Sequence, residues 1–244
     1  MKSTIRALLL GSAASLVMTG AALAADLRGS IAPPSYYTNW TGFYAGVNGG
    51  YAWNDDSVMF GTSLGLRPKP SGGLFGGQAG YNWQWTPEWV FGVEADFVWA
   101  DFFGSAQTLT PFVANGVERV NMLGTLRGRA GYALENVLLY GTAGLAYGRT
   151  DLATSSNNPV GGACGPAGFC ASADSTEWMV GWAAGVGFDW AFLPQWSFRS
   201  EYLHYDLGSR TQNLVDPGLP TAPLTVSANF RGDIVRGAIN FKFR

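Results

Sequence analysis

The chain has 244 residues, of which 13% are charged and 14% aromatic, with a formal net charge of −2. Ordinary soluble domains are about 25% charged, so this balance excludes disorder, which goes with high charge and few aromatics, and leaves no basic footprint for nucleic acid. The 34 glycines follow no three-residue period, which excludes a collagen-like chain.

Residues 1–24 read as a secretory signal peptide. Lys2 and Arg6 give a positive start, Ala7 to Val17 an apolar core, and Ala22-Leu23-Ala24 the small residues that a signal peptidase needs. The alternative, an N-terminal membrane anchor, is disfavoured by the short core and the cleavage site after it. Residues 25–39, with Pro33-Pro34, read as a periplasmic tail, and 40–244 as one barrel. The most apolar later run, Trp178 to Phe188, is broken by Gly181, Gly185 and Gly187. It falls short of the roughly 20 residues of a spanning helix, so the exported chain is either soluble or crosses a membrane with strands.

From residue 40 the pattern is two-residue alternation. Phe43, Ala45, Val47, Gly49, Tyr51 and Trp53 share one face of a first strand, with Asn48 opposite. Phe75, Ala79, Tyr81, Trp83 and Trp85 mark a second, opposed by Gln78, Asn82 and Gln84. Trp89 to Trp99 is the clearest case: Trp89, Phe91, Val93, Ala95, Phe97 and Trp99 against Glu94 and Asp96. A fourth strand over 120–132 sets Val120, Met122, Leu126 and Tyr132 against Asn121, Thr125, Arg127 and Arg129. Val137 to Gly148 is apolar on both faces, so its register is open. Strands over 178–190, 196–204 and 235–243 complete eight, with Asp189, Arg199, Glu201, Arg236 and Lys242 opposite the apolar face. Connections at 86–88, 134–136 and 191–195 are tight, whereas 54–72, 100–118, 149–176 and 208–226 read as long polar loops.

Tight turns at one end and long loops at the other predict an all-β, eight-stranded antiparallel up-and-down transmembrane β-barrel of the outer membrane. A soluble lipocalin-like barrel would hide the apolar face inside. The tryptophans decide between them. Trp53, Trp83, Trp85, Trp89, Trp99, Trp178, Trp190 and Trp196 lie near strand ends, as in the aromatic girdle at head-group level.

Three segments carry a family resemblance. Trp40-Thr41-Gly42-Phe43-Tyr44-Ala45-Gly46, running to Gly49-Gly50-Tyr51, resembles the opening strand of the small alphaproteobacterial outer-membrane β-barrel family, the porin-like or outer-membrane immunogenic proteins. Leu139-Tyr140-Gly141-Thr142-Ala143-Gly144-Leu145-Ala146-Tyr147-Gly148 is similar to its fifth strand, and Glu201-Tyr202-Leu203-His204-Tyr205-Asp206-Leu207-Gly208 to its seventh. The resemblance spans residues 40–243. It implies an eight-stranded barrel inserted by the β-barrel assembly machinery, with structural, surface-antigen and occasional ligand-binding roles. The chain departs from the family in ending Phe243-Arg244 rather than on an aromatic residue, and in placing His204 where an aromatic is expected.

Eight strands enclose a lumen that side chains can fill. Glu94 and Asp96 should face Arg127 and Arg129 on the next strand, and Arg199, Glu201 and Arg236 form a second cluster. The reading favours a salt-bridge plug over a narrow pore for small polar solutes. Gly61-Thr62-Ser63-Leu64-Gly65 fits a nucleophile motif, but no helix follows it. His204 is the single histidine. It shares a face with Ser200, too far along the strand for a hydrogen bond, so interfacial anchoring is preferred to a lipid-modifying enzyme. Cys164 and Cys170, with Gly-Pro between them, are a disulfide candidate. No catalytic, metal or cofactor residues are assigned. The expected partners are outer-membrane lipids, lipopolysaccharide and the assembly machinery, not nucleic acid.

Overall fold

The computed structural model describes residues 38–54, 58–60, 64–66, 69–108, 113–157, 170–216 and 219–243. In chain order the strands are β1 (Gly42–Asn54), β2 (Val58–Phe60), β3 (Leu64–Leu66), β4 (Ser71–Gln84), β5 (Trp89–Thr108), β6 (Val113–Leu134), β7 (Val137–Asn157), β8 (Cys170–Leu193), β9 (Trp196–Asp216) and β10 (Leu219–Lys242). Eight of them, β1 and β4 to β10, pair antiparallel in sequence order, and β10 returns to β1. A closed ring leaves no row of unpaired backbone groups facing lipid, which is why strands can span a bilayer only in this form. Where β1 stops at Asn54, β2 pairs with the continuing edge of β10 at Val226 to Ala228.

The alternation sets which face is which. Phe43, Val47, Phe75, Val93, Leu126, Leu145, Val180 and Val186 all point outward and are more than half exposed. The charged residues opposite them are buried inside. A soluble barrel would be the reverse, so this outward apolar band faces lipid.

Followed across the ladder from Ala45 through Ala79, Ala95, Leu126, Leu145, Trp182 and Asp206, the pairing arrives at β10 opposite a point about ten residues further along β1. Strands must tilt to absorb this stagger, and the ladder climbs about one residue per strand toward the long-connection end.

The strands run well past the predicted ends. Segments 100–118, 149–176 and 208–226, read as loops, are mostly paired, and the connections shrink to 109–112, 158–169 and 217–218. Beyond the membrane the outward face need not be apolar, so the pattern that marks a spanning strand stops before the pairing does. One irregularity sits in this extension. Gly208 takes φ 87°, its N–H is bonded to Asp206 Oδ1 at 2.7 Å, and the β9–β10 register slips between Asn229 and Arg231. The bulge switches the inward parity of β9 from odd to even residues, which turns Arg210 inward to meet Glu177 at 2.8 Å.

Candidate functional site: the filled lumen

The lumen is stacked in three layers. At the short-turn end, periplasmic in barrels of this kind, Trp40, Val90, Ala133 and Leu138 pack together. Toward the other end Leu74, Val98, Leu123, Leu203, Phe230 and Ile234 belong to a larger apolar cluster. Between them lies a layer of four arginines and four carboxylates, all buried: Arg127, Arg129, Arg199, Arg236, Glu94, Asp96, Asp189 and Glu201.

Burying an ion costs several kcal/mol unless partners replace its water. Here each carboxylate accepts hydrogen bonds from two arginines. Glu94 accepts from Arg127 at 2.8 Å and from Arg199. Asp96 accepts from Arg127 at 2.8 Å and Arg236 at 3.0 Å. Asp189 accepts from Arg129 at 2.8 Å and Arg199 at 2.6 Å. Glu201 accepts from Arg127 at 2.9 Å and Arg236 at 2.7 Å. Hydroxyls fill remaining positions: Tyr44 donates to Glu94 at 2.5 Å, Thr125 to Asp96 at 2.6 Å, and Tyr140 to Glu201 at 3.1 Å. The Arg129 guanidinium lies 3.9 Å from the Tyr140 ring centre. Equal numbers of opposite charges leave the layer neutral.

The expected division into two clusters is corrected. Arg127 reaches across the lumen to Glu201, and Arg199 to Glu94, so all eight groups form one network. The reason is width, since a guanidinium on one wall spans to the opposite wall. Asp189, Tyr44 and Tyr140 join the network in addition to the residues expected from the sequence. Asp189 is signalled by its parity on β8. The tyrosines depend on partners that need the register: a Cβ on Gly80 would lie 2.5 Å from Tyr44 Oη, and one on Gly187 2.6 Å from Tyr140 Oη. These two glycines are the space the rings occupy. The doubly apolar stretch over 137–148 resolves with Leu138, Tyr140, Thr142 and Ala146 inward. Beside the network, Asn48 donates to Gln78 at 3.0 Å and Gln78 to Asn240 at 2.6 Å.

On the outside, Trp53, Trp83, Trp85, Trp89, Trp99, Trp178, Trp190 and Trp196 are all at least 41% exposed. Rings from neighbouring strands meet in both bands, Trp89 on Tyr132 at 5.6 Å and Phe75 on Trp99 at 5.6 Å. Trp40 is different, 5% exposed and inside the barrel. Asp233, just before the predicted strand over 235–243, also points outward, 2.8 Å from His204 Nδ1. Ser200 pairs with Gly237 and Phe188, away from His204.

Gly61-Thr62-Ser63 and Cys164 lie outside the described residues, as do residues 1–37. Cys170 is placed by its backbone at the start of β8, opposite Asn157. Among the described residues no group of three or more His, Cys, Asp or Glu is placed to hold a metal ion.

Residues 11–231 match the family described as outer membrane protein beta-barrel domain. The chain belongs to this outer-membrane β-barrel family. It is 34% identical over 257 residues to the 31 kDa outer-membrane immunogenic protein of Brucella melitensis, covering 100% of each chain. It is 30% identical to the 25 kDa outer-membrane immunogenic protein of Brucella abortus, covering 98% of this chain and 99% of that one. The 22 kDa outer membrane protein of Rhizobium leguminosarum is 32% identical over 186 residues, 75% of this chain and 72% of its own. Among solved structures, the outer membrane protein OprG of Pseudomonas aeruginosa superposes with a TM-score of 0.55 at 16% identity, over 85% of this chain and 99% of OprG. That likeness is one of fold. The barrel therefore resides in the outer membrane, and its apolar outer band faces that membrane's lipid.

Proposed function

We propose that this protein is a closed, non-enzymatic envelope barrel that contributes to outer-membrane structure and presents its strand extensions and long connections at the cell surface. One observation carries the reading: the neutral layer of four arginines and four carboxylates fills the lumen between two apolar layers. A passing ion would have to displace paired charges and then cross packed hydrocarbon, each of which is costly. Surface presentation agrees with relatives named for their immunogenicity. Export by residues 1–24, a periplasmic tail at 25–39, insertion by the β-barrel assembly machinery and contact with lipopolysaccharide belong to the same reading.

The test is conductance of the purified barrel in planar bilayers. The expected result is no steady ion-conducting steps in the folded protein, scored as folded by its heat-modifiable gel migration. Stable unitary steps from protein so scored would overturn the closed lumen in favour of a narrow solute pore.

A further inference from the structure

Level with the outer girdle, the outward face carries a cluster of ionisable groups around Asp233, and a carboxylate at the edge of lipid is expensive unless something meets it. Tyr202 Oη donates to Asp233 Oδ1 at 2.6 Å, and His204 Nδ1 lies 2.8 Å from the same oxygen. Both contacts use Oδ1, which leaves Oδ2 to the surroundings. The Asp233 and His204 side chains remain 28% and 36% exposed. With Nδ1 turned to the carboxylate, His204 keeps Nε2 for an outside partner, beside the Trp182 ring at 5.5 Å. Asp233 pairs with Trp53, and the climb of the ladder sets the cluster level with the outer girdle. The cluster therefore stands at head-group depth in the outer leaflet.

Below it a groove runs down the outward face of β6 to β8. Its floor is Gly128, Ala130, Gly141, Ala143 and Ala184, and Tyr202 forms the wall on the side of the cluster. The groove continues toward Trp89, Tyr132 and Phe188 in the other girdle. Packing within the barrel does not require these glycines. A Cβ on Gly128 or Gly141 would meet nothing nearer than 3.9 Å or 4.0 Å. Above the groove, Arg149 on β7 is exposed and outward.

The occupant follows from position and charge. A groove between the girdles is reached only by acyl chains. A carboxylate and an imidazole at its head call for hydroxyl or amide donors, and the exposed Arg149 calls for phosphate. We propose that this face binds one phosphorylated, acylated glycolipid of the outer leaflet, of the lipid A type. An acyl chain lies over Gly141 and Ala143, a head-group hydroxyl or amide meets Asp233 and His204, and a phosphate sits at Arg149. The site rests on the outer-membrane placement and is independent of whether the lumen is closed.

Native mass spectrometry of the full-length mature barrel in phosphatidylcholine nanodiscs tests this, with equal mole fractions of lipid A or phosphatidylethanolamine added. The wild type should retain one lipid A in preference to both phospholipids. Asp233→Leu combined with His204→Phe removes the head contacts, and Gly141→Leu fills the groove. Each should lower lipid A retention by about tenfold, equivalent to about 1.4 kcal/mol, in protein whose heat-modifiable migration is unchanged. If either variant fails to fold, Arg149→Glu supplies the comparison and should also lower retention. Equal retention by the wild type and every folded variant would overturn the site in favour of general annular lipid. Preferential retention of phosphatidylethanolamine would overturn lipid A as its occupant.

Discussion

Arg127 touches three carboxylates from two strands, Glu94 and Asp96 on β5 and Glu201 on β9. Arg127→Met would leave these acids facing one another with only Arg129, Arg199 and Arg236 to share. Removing one partner of a buried pair costs about 3–5 kcal/mol. The expected outcome is a large fall in the urea midpoint for unfolding from detergent micelles, with Arg127→Met and Glu201→Leu together less damaging than the single change. The inward placement of these residues is legible in the sequence, because alternation around Phe91, Val93 and Ala95 fixes the face of Glu94 and Asp96. Their partners are less legible. Adjacent strands give Glu94 opposite Arg127, but a contact such as Glu94 with Arg199 joins opposite walls, and no strand-to-strand pattern encodes the width of the lumen.

Among the elements, the spanning parts of the strands are legible because lipid demands an apolar outward face. The extensions are not, since water on the outside removes that demand. Asp233 shows the boundary: it lies just before the apolar run from Val235, and a strand read from hydrophobicity alone starts after it. The bulge at Gly208 is equally hidden, because a glycine in Leu207-Gly208-Ser209 reads as the end of a strand. Its φ of 87° is open to glycine but strained for a branched side chain. Gly208→Val should cost about 1–3 kcal/mol and loosen the contact of Arg210 with Glu177. The check is a lower unfolding midpoint together with faster amide exchange in residues 206–212 than in β9 below the bulge.

At the scale of the whole molecule, stability should be nearly indifferent to salt. Surface ion pairs weaken as salt shortens the Debye length to about 3 Å at 1 M, whereas buried pairs are screened much less. All eight charges of the lumen layer are buried between apolar layers. The unfolding midpoint is therefore expected to differ little between dilute buffer and 1 M sodium chloride. A steep fall with salt would place water and ions within the charged layer.

The contacts across the lumen also span long stretches of chain. Glu94 waits for Arg199, 105 residues later, Asp96 for Arg236, 140 residues later, and Arg127 for Glu201, 74 residues later. Until β9 and β10 are in place, the middle strands set three carboxylates, Glu94, Asp96 and Asp189, against two arginines, Arg127 and Arg129, so the layer lacks one positive charge. A partial barrel inserted ahead of them would carry that uncompensated carboxylate into the membrane. The last two strands thus do more than complete the wall. They deliver Arg199 and Arg236, so the neutral layer is complete only when the end of the chain arrives.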